Sequence, residues 1–397
     1  MLTRVQIRNF RSIQDLEWHP QRLSVLTGPN NSGKTNLAYA LRFLSLTAQG
    51  LSLDEAARAS RMAPTEVRCL QVPDEAIGLD LDAEVGDGPE AASLGYRLEL
   101  KAEVPDERGV PVLTVAAEKL WRRVPGGGQT LFQRGPEAAE LVDGAPPGPQ
   151  GFTAWDWSPA HTVLGKLTDK ARYPSVWTFA SYLRNFHYYR VDASSLGSAP
   201  EAAVRPILLA GAENLLAVLH LVKNQDARAY SRLLGMASQL DPSLEDFEFV
   251  PLADGTVVTE AILRGVEDRV SIRALSDGTL LHLALAVVAL QPQVHSRREF
   301  ERPTLIVFEE PENGLYVRAL HSLFDLITEA SQHTQVIITT HSPFLLDFFD
   351  DAPEKLFVLS RGDRGTEIRS PDPGAFDELL EHMSVGEMLF RKVLACE

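Results

Sequence analysis

The sequence is poor in cysteine: of 397 residues only Cys69 and Cys396 are cysteines, far apart and without metal-ligand spacing. That excludes a disulfide framework and a cysteine-built metal centre, and it fits a reducing compartment. Positive charge is also short. A net charge of −16 excludes a surface coated in basic residues for nucleic acid, although a local basic patch is compatible with that average. Long apolar runs are missing too, for Leu283–Leu290 falls far below the ~20 residues that cross a bilayer. No internal repeat and no sustained heptad occurs, which excludes a solenoid and a long coiled coil. The opening MLTRVQIRNF alternates like a strand and lacks the apolar centre of a signal peptide. These absences predict a cytoplasmic protein with no membrane partner.

What is present is enough apolar content, 44%, for a full core, in a chain longer than one core usually organises. One large domain with an insertion, or two domains, is expected. LTRVQIRNF and LSVLT read as strands, and a helix is expected from Asn36 to about Leu46. Between about residues 64 and 145 the pattern becomes an antiparallel meander with one wet face. It is clearest in YRLELKAEV, where Tyr96, Leu98, Leu100, Ala102 and Val104 share a face. The Pro- and Gly-rich stretch 143–151 is the best linker candidate, and 155–187 and 212–235 read as helical. From residue 271 the chain alternates buried helix, buried strand, helix and buried strand, as a parallel α/β sheet requires.

Three stretches carry chemistry. VLTGPNNSGKTNL sets Gly28-x-x-x-x-Gly33-Lys34-Thr35 between an apolar strand and a helix. Its glycines let backbone N–H groups close around phosphate oxygens, Lys34 would reach the β and γ phosphates, and Thr35 would hold Mg²⁺. Asn30, Asn31, Ser32 and Asn36 complete the expected nucleotide-binding set. In PTLIVFEEPENGL a buried strand ends in two carboxylates, where Glu309 would bind Mg²⁺ through water and Glu310 would polarise an attacking water. QVIITTHSPFLL ends a further strand in His341, placed to touch a γ-phosphate or that water. A fourth stretch, Ser276-Asp277-Gly278-Thr279, stands directly before a helix apolar all round. It reads either as a plain N-cap or as an anion site at a helix N-terminus.

Taken in this order, the four stretches resemble ABC-type ATPases, and within them the SMC, RecF and OLD-like branch. VQIRNFRSIQDLEW is similar to the opening strand pair of that branch, with Arg8, Asn9, Phe10 and Arg11 at its Asn-Phe-Arg-Ser stretch. The resemblance covers residues 1–45 and about 205–397 and fades between them. It implies an α/β P-loop NTPase fold: an ABC-type head with a mixed or parallel sheet core, an antiparallel β lobe and a helical insertion. It also implies that Ser276, Asp277, Gly278 and Thr279 form a signature that meets the ATP of another protomer, so that two ATPs are sandwiched in a dimer. Glu312 and Asn313 match the segment that crosses the family's dimer interface. Members often carry His-Pro where this chain has Tyr316-Val317, and Gln71 and Gln129 are both candidates for the family's lid glutamine.

The expected organisation is an N-terminal core part (1–50), a β lobe (51–150), a mainly helical subdomain (151–265) and a C-terminal core part (266–397). A transporter ATPase shares the four stretches, but about 240 residues separate Thr35 from Ser276, too many for a compact helical subdomain. An OLD-type nuclease needs a paired acidic metal motif, and the 56 residues after His341 offer Asp363 alone in LFVLSRGDRGTEI. The reading is therefore an Mg²⁺-dependent ATPase with ATP and Mg²⁺ as cofactors. Lys34, Glu310 and His341 are catalytic, and Thr35 and Glu309 support the metal. Its ATP-dependent homodimer, or higher oligomer, would act on DNA or on a separate effector protein, as in DNA repair or antiviral defence. A nucleotide-gated binding module with slow hydrolysis is the alternative. Arg122, Arg123 and Arg134 read as a DNA-facing patch or a solvated face, and FHYYRVD (186–192) as base-stacking aromatics or aromatic core.

Overall fold

A computed structural model describes residues 1–72, 75–86, 91–103, 112–135, 139–141, 158–167, 169–196, 207–253, 257–294, 302–363, 365–371, 373–391 and 393. The expected linker at 143–151 lies outside the described residues. The chain begins with β1 (Leu2–Phe10), β2 (Ile13–Trp18), β3 (Leu23–Thr27), α1 (Lys34–Ala48) and α2 (Leu53–Ala59). There follow β4 (Ile77–Val85), β5 (Ala92–Glu103), β6 (Val112–Val124), β7 (Gly127–Arg134), β8 (Ala139–Leu141), α3 (Val163–Lys166), α4 (Pro174–Arg184) and β9 (Phe186–Tyr189). Then come α5 (Leu215–Gln225), α6 (Ala227–Leu240), β10 (Leu244–Pro251), β11 (Val257–Leu263), β12 (Val270–Ser271), α7 (Asp277–Val294), β13 (Leu305–Glu309) and α8 (Ala319–His333). The last elements are β14 (Gln335–Thr339), α9 (Pro343–Leu346), β15 (Leu356–Gly362), β16 (Gly365–Arg369), α10 (Pro373–Leu380) and α11 (Val385–Phe390). They form two compact units: Met1–Phe186 with Pro353–Phe376 and Arg391–Glu397, and His187–Ala352 with Asp377–Phe390.

The first unit is built on a twisted sheet in the order β8-β7-β6-β5-β4-β1-β2-β16-β15-β3. Its pairs are antiparallel except the last, where β15 runs parallel to β3 with Phe357 opposite Leu26. In β5 Tyr96, Leu98 and Leu100 are buried and Ala102 is half-buried, while Val104 lies outside the described residues; burial of each large side chain contributes about 1.5–3 kcal/mol. The opposite face of the lobe is an ion-pair ladder rather than bare polar surface. Asp80, nearly buried, meets Arg97 at 3.0 Å and Arg8 at 3.5 Å, and Asp82 meets Arg123 at 2.5 Å and Arg4 at 3.8 Å. Arg122 donates to Ser175 Oγ, and Arg134 to the carbonyls of His161 and Ser158. The three arginines of the possible DNA patch are thus engaged by neighbouring groups; Arg123 is exposed, as a solvated face requires, but Arg134 is buried and departs from both readings.

The second unit carries β13 and β14 as a parallel pair in which Phe308 faces Ile338 and Glu309 faces Thr339. Helix α7 is buried on every side from Thr279 to Gln291, so no polar stripe marks it, and α6 and α8 pack against it. A small sheet β10-β11-β12 stands in the same unit. The start of α11 is held by Asp347, which accepts from Gly386 N, and Asp350, which accepts from Val385 N, both at 2.9 Å.

The structure differs from expectation between 155 and 187. Among the described residues helix there is confined to α3 and α4, and Phe186 and His187 already belong to strand β9. Pro174 sets the start of α4, because proline fits the first helical turn and disfavours helix before it. The aromatic run FHYY favours a strand directly after Asn185.

Candidate functional site

The phosphate-loop candidates lie in the first unit. β3 is buried along its whole length and delivers the chain to Gly28, whose φ of 139° admits no ordinary side chain. A Cβ at Gly28 would stand 2.1 Å from Leu359 O, and one at Gly33 (φ 106°) 2.3 Å from Thr366 Oγ1. The loop is therefore pressed onto β15 and β16, and only glycine leaves room. Asn31, at φ 66°, takes the left-handed conformation that asparagine tolerates best after glycine. Gly33 is the N-cap of α1 and makes no side-chain cap hydrogen bond, and the first turn carries no acidic residue. Lys34, 5% exposed, donates from Nζ to Gly28 O (2.8 Å), Pro29 O (2.9 Å) and Ser32 Oγ (3.4 Å). Asn30 and Asn31 are exposed, Ser32 is buried, and Thr35 and Asn36 are half-buried on the first turn. Asn36 Nδ2 donates to Ser12 Oγ at 2.7 Å, and Ser12 shares a 2.7 Å hydrogen bond with Thr366. Glycines that must stay bare and a buried lysine at a helix start fit a polyphosphate.

The acidic and histidine candidates lie together in the second unit, at the carboxyl ends of β13 and β14. Glu309 is the last residue of β13 and is 4% exposed. Its Oε2 accepts from the Tyr188 hydroxyl, and Arg190 Nη1 stands 3.5 Å from Oε1. Glu310 leaves the strand with φ 47°, a left-handed conformation that a glutamate adopts only when its surroundings impose it. Its backbone N–H donates to Thr339 O at 2.9 Å, which ties the turn to the neighbouring strand. The carboxylate is held at both oxygens: Oε1 is 3.0 Å from His341 Nε2, and Oε2 accepts from Asn313 Nδ2 at 2.6 Å. A half-exposed carboxylate paired with a histidine can orient a water and pass on its proton.

Glu312 turns inward. It accepts from the Thr340 hydroxyl and, at 3.2 Å, from His341 N, so it fixes the backbone that carries the histidine. Burial raises its carboxyl above the usual range despite those donors. Tyr316 and Val317, in the place of the usual His-Pro, are exposed. Ser276 caps α7, its Oγ accepting from Thr279 N at 3.1 Å and meeting Thr279 Oγ1 at 2.7 Å. Ser276 and Asp277 remain exposed, Gly278 is half-buried and Thr279 is buried. Within one chain this cluster is an N-cap. Of the lid candidates, Gln71 accepts from Gln14 Nε2 at 2.6 Å, and Gln129 lies in β7 opposite Arg122.

Magnesium binds through few protein oxygens and keeps several waters, and the strand-end carboxylate of Glu309, in the second unit, is an oxygen donor of that kind. Among the described residues no group of three or more His, Cys, Asp or Glu could hold a metal. Tyr188 and Arg190 were not separable from aromatic core in the sequence. Both tyrosines of the run are buried as core residues, yet each spends its hydroxyl on a polar partner: Tyr188 on Glu309 and Tyr189 on Gln291 at 2.9 Å.

Residues 179–347 match the family described as "AAA domain, putative AbiEii toxin, Type IV TA system", and residues 1–77 match "AAA ATPase domain". The first span takes in the signature cluster, the acidic strand end and His341, and the second takes in the phosphate loop. No curated protein matches the chain. Among solved structures it is similar to an Smc head bound to the C-terminal winged-helix domain of ScpA, at 14% identity and a TM-score of 0.51 over 94% of this chain and 99% of that one. It is also similar to the Smc head with an extended coiled coil bound to the C-terminal domain of ScpA from Pyrococcus furiosus. That match has 13% identity and a TM-score of 0.51 over 96% of this chain and 98% of that one. At such identities the shared property is the fold, the P-loop ATPase head with its mixed sheet. Among the described residues no helix is long and apolar enough to cross a membrane. Two spans of the chain thus match ATPase domains of the AAA type, which supports ATP hydrolase activity, and the fold is that of an SMC head, with no coiled coil among the described residues.

Proposed function

We propose that the chain hydrolyses ATP with Mg²⁺ by in-line attack of water, and that an ATP-sandwiched homodimer uses this cycle as a switch on DNA or on a separate effector protein. The observation that carries the chemistry is Glu310, forced to φ 47° and held between His341 (3.0 Å) and Asn313 (2.6 Å) beside the buried Glu309. Strain of this kind persists where it serves a site. Lys34 gives up its loop carbonyls for the β and γ phosphates, and Thr35 and Glu309 support the metal. Magnesium, when bound, neutralises phosphate charge. Glu310 orients the attacking water and accepts its proton, and His341 reads the γ-phosphate. Gly28, Asn30, Asn31, Ser32, Gly33 and Asn36 complete the loop around the phosphates.

The signature role of Ser276, Asp277, Gly278 and Thr279 is supported by the exposure of the first two. Ser276 and Asp277 face outward at the start of an 18-residue helix whose positive end is available to an anion brought by another chain. The four-part organisation (1–50, 51–150, 151–265 and 266–397) remains part of this proposal, as does action in DNA repair or antiviral defence. The test is phosphate release and equilibrium ATP binding with Lys34→Ala and Glu310→Gln. Lys34→Ala is expected to lose ATP binding, whereas Glu310→Gln is expected to bind ATP and turn over about a hundredfold or more slowly. Unchanged ATP affinity in Lys34→Ala would remove the phosphate-loop assignment, and a wild-type rate in Glu310→Gln would move the general base elsewhere.

A further inference from the structure

Glu309 is engaged at both oxygens by one short stretch, 186–192, that the ATPase reading leaves unused. Its side chain is 3% exposed, whereas Arg190 is 47% exposed, so the guanidinium reaches a buried carboxylate from the surface. Tyr188 is buried and donates its hydroxyl to Oε2, and Arg190 stands 3.5 Å from Oε1. The backbone beneath the pair is pinned, because Arg190 N donates to Ala210 O at 2.9 Å. The two donors differ in kind. The hydroxyl is neutral and enclosed, and it fixes where the carboxylate points. The guanidinium supplies the opposite charge that a buried anion needs, and it alone retreats to water at little cost.

We propose that Arg190 is a resident counter-ion for Glu309 which a divalent metal must displace, and that Tyr188 is a positioning residue that keeps the carboxylate aimed while one cation replaces the other. The inference rests on the reading of Glu309 as a metal-supporting carboxylate. It makes metal entry an exchange of cations, so the head binds metal more weakly than its carboxylate alone would allow. The pair also keeps the Glu309 side chain ordered between cycles.

The test is Mn²⁺ titration of the whole chain with saturating ADP, followed by loss of the free-ion paramagnetic resonance signal, which needs no turnover. Arg190→Met is expected to bind Mn²⁺ about five- to tenfold more tightly than wild type, the scale of a partly exposed ion pair. Arg190→Lys, which keeps the charge, is expected to fall nearer wild type. Tyr188→Phe is expected to bind more weakly, and wild-type affinity there would overturn the positioning role. Glu309→Gln serves as the reference and is expected to lose the metal. If Glu309→Gln loses Mn²⁺ while Arg190→Met binds it no more tightly than wild type, the counter-ion is overturned and the metal reading stands. If Glu309→Gln binds as wild type does, the metal reading itself fails and takes the counter-ion with it.

Discussion

Glu310 shows at the scale of one residue how the backbone is conscripted by the site. A glutamate at φ 47° costs about 1–3 kcal/mol relative to an ordinary conformation, and the turn retains it through Thr339, His341 and Asn313. Glycine relieves that cost, so Glu310→Gly is expected to be more stable than Glu310→Ala by about 1 kcal/mol, the reverse of their usual order. Urea unfolding of the two variants checks it, and alanine as the more stable one would mean that the turn is unstrained. Glu118 is a second residue with a cost built in. It lies fully buried in β6, accepting from Tyr96 Oη at 3.0 Å and Val163 N at 2.7 Å, and burial pushes its carboxyl from 4.5 up to about 7. The folded state therefore holds a proton that the unfolded state releases, and stability falls as pH rises from about 4.5 to about 7, then stays level. The penalty above pH 7 is about 3 kcal/mol. Melting curves from pH 5 to 8 are expected to show that decline in wild type and a flatter profile in Glu118→Gln. Parallel profiles would place the titration elsewhere.

At the scale of elements, the phosphate loop was legible because everything that makes it lies within a few residues: an apolar strand, glycines, a lysine, a helix. The same holds for α7, β13 and β14, whose buried runs, with the amphipathic α8 between the two strands, announce a parallel sheet. What lies under the loop was not legible. Leu359 and Thr366, on β15 and β16, sit where Cβ atoms at Gly28 and Gly33 would fall, more than 300 residues away in the chain. No local pattern reports such a contact. Gly28→Ala is accordingly expected to lose nucleotide binding and about 2–3 kcal/mol of stability, since a Cβ 2.1 Å from Leu359 O forces two strands apart. Retained binding in that variant, by equilibrium titration, would show that the loop has slack. Strand β9 hid for another reason, because FHYYRVD has the composition of core, and a tyrosine's hydroxyl partner is invisible until the fold supplies it. The short sheet β10-β11-β12 also fell outside the elements expected from the sequence, its strands having no buried run to set them apart.

At the scale of the whole molecule, the ATPase class and the fold rest on the matched families and the Smc heads, while the cycle's purpose rests on the proposed dimer. Net charge points the same way as the bound arginines of the β lobe: a chain at −16 whose Arg122, Arg123 and Arg134 are engaged internally offers DNA no broad basic face there. Any contact with DNA must then be local or made through a partner. The measurement that bears most directly on the proposed switch is the solution mass of Glu310→Gln by light scattering, with and without ATP and Mg²⁺. A rise from monomer to dimer with ATP and Mg²⁺, abolished by adding Ser276→Arg, is the expected result. A mass that ignores nucleotide would contradict the ATP-sandwiched dimer.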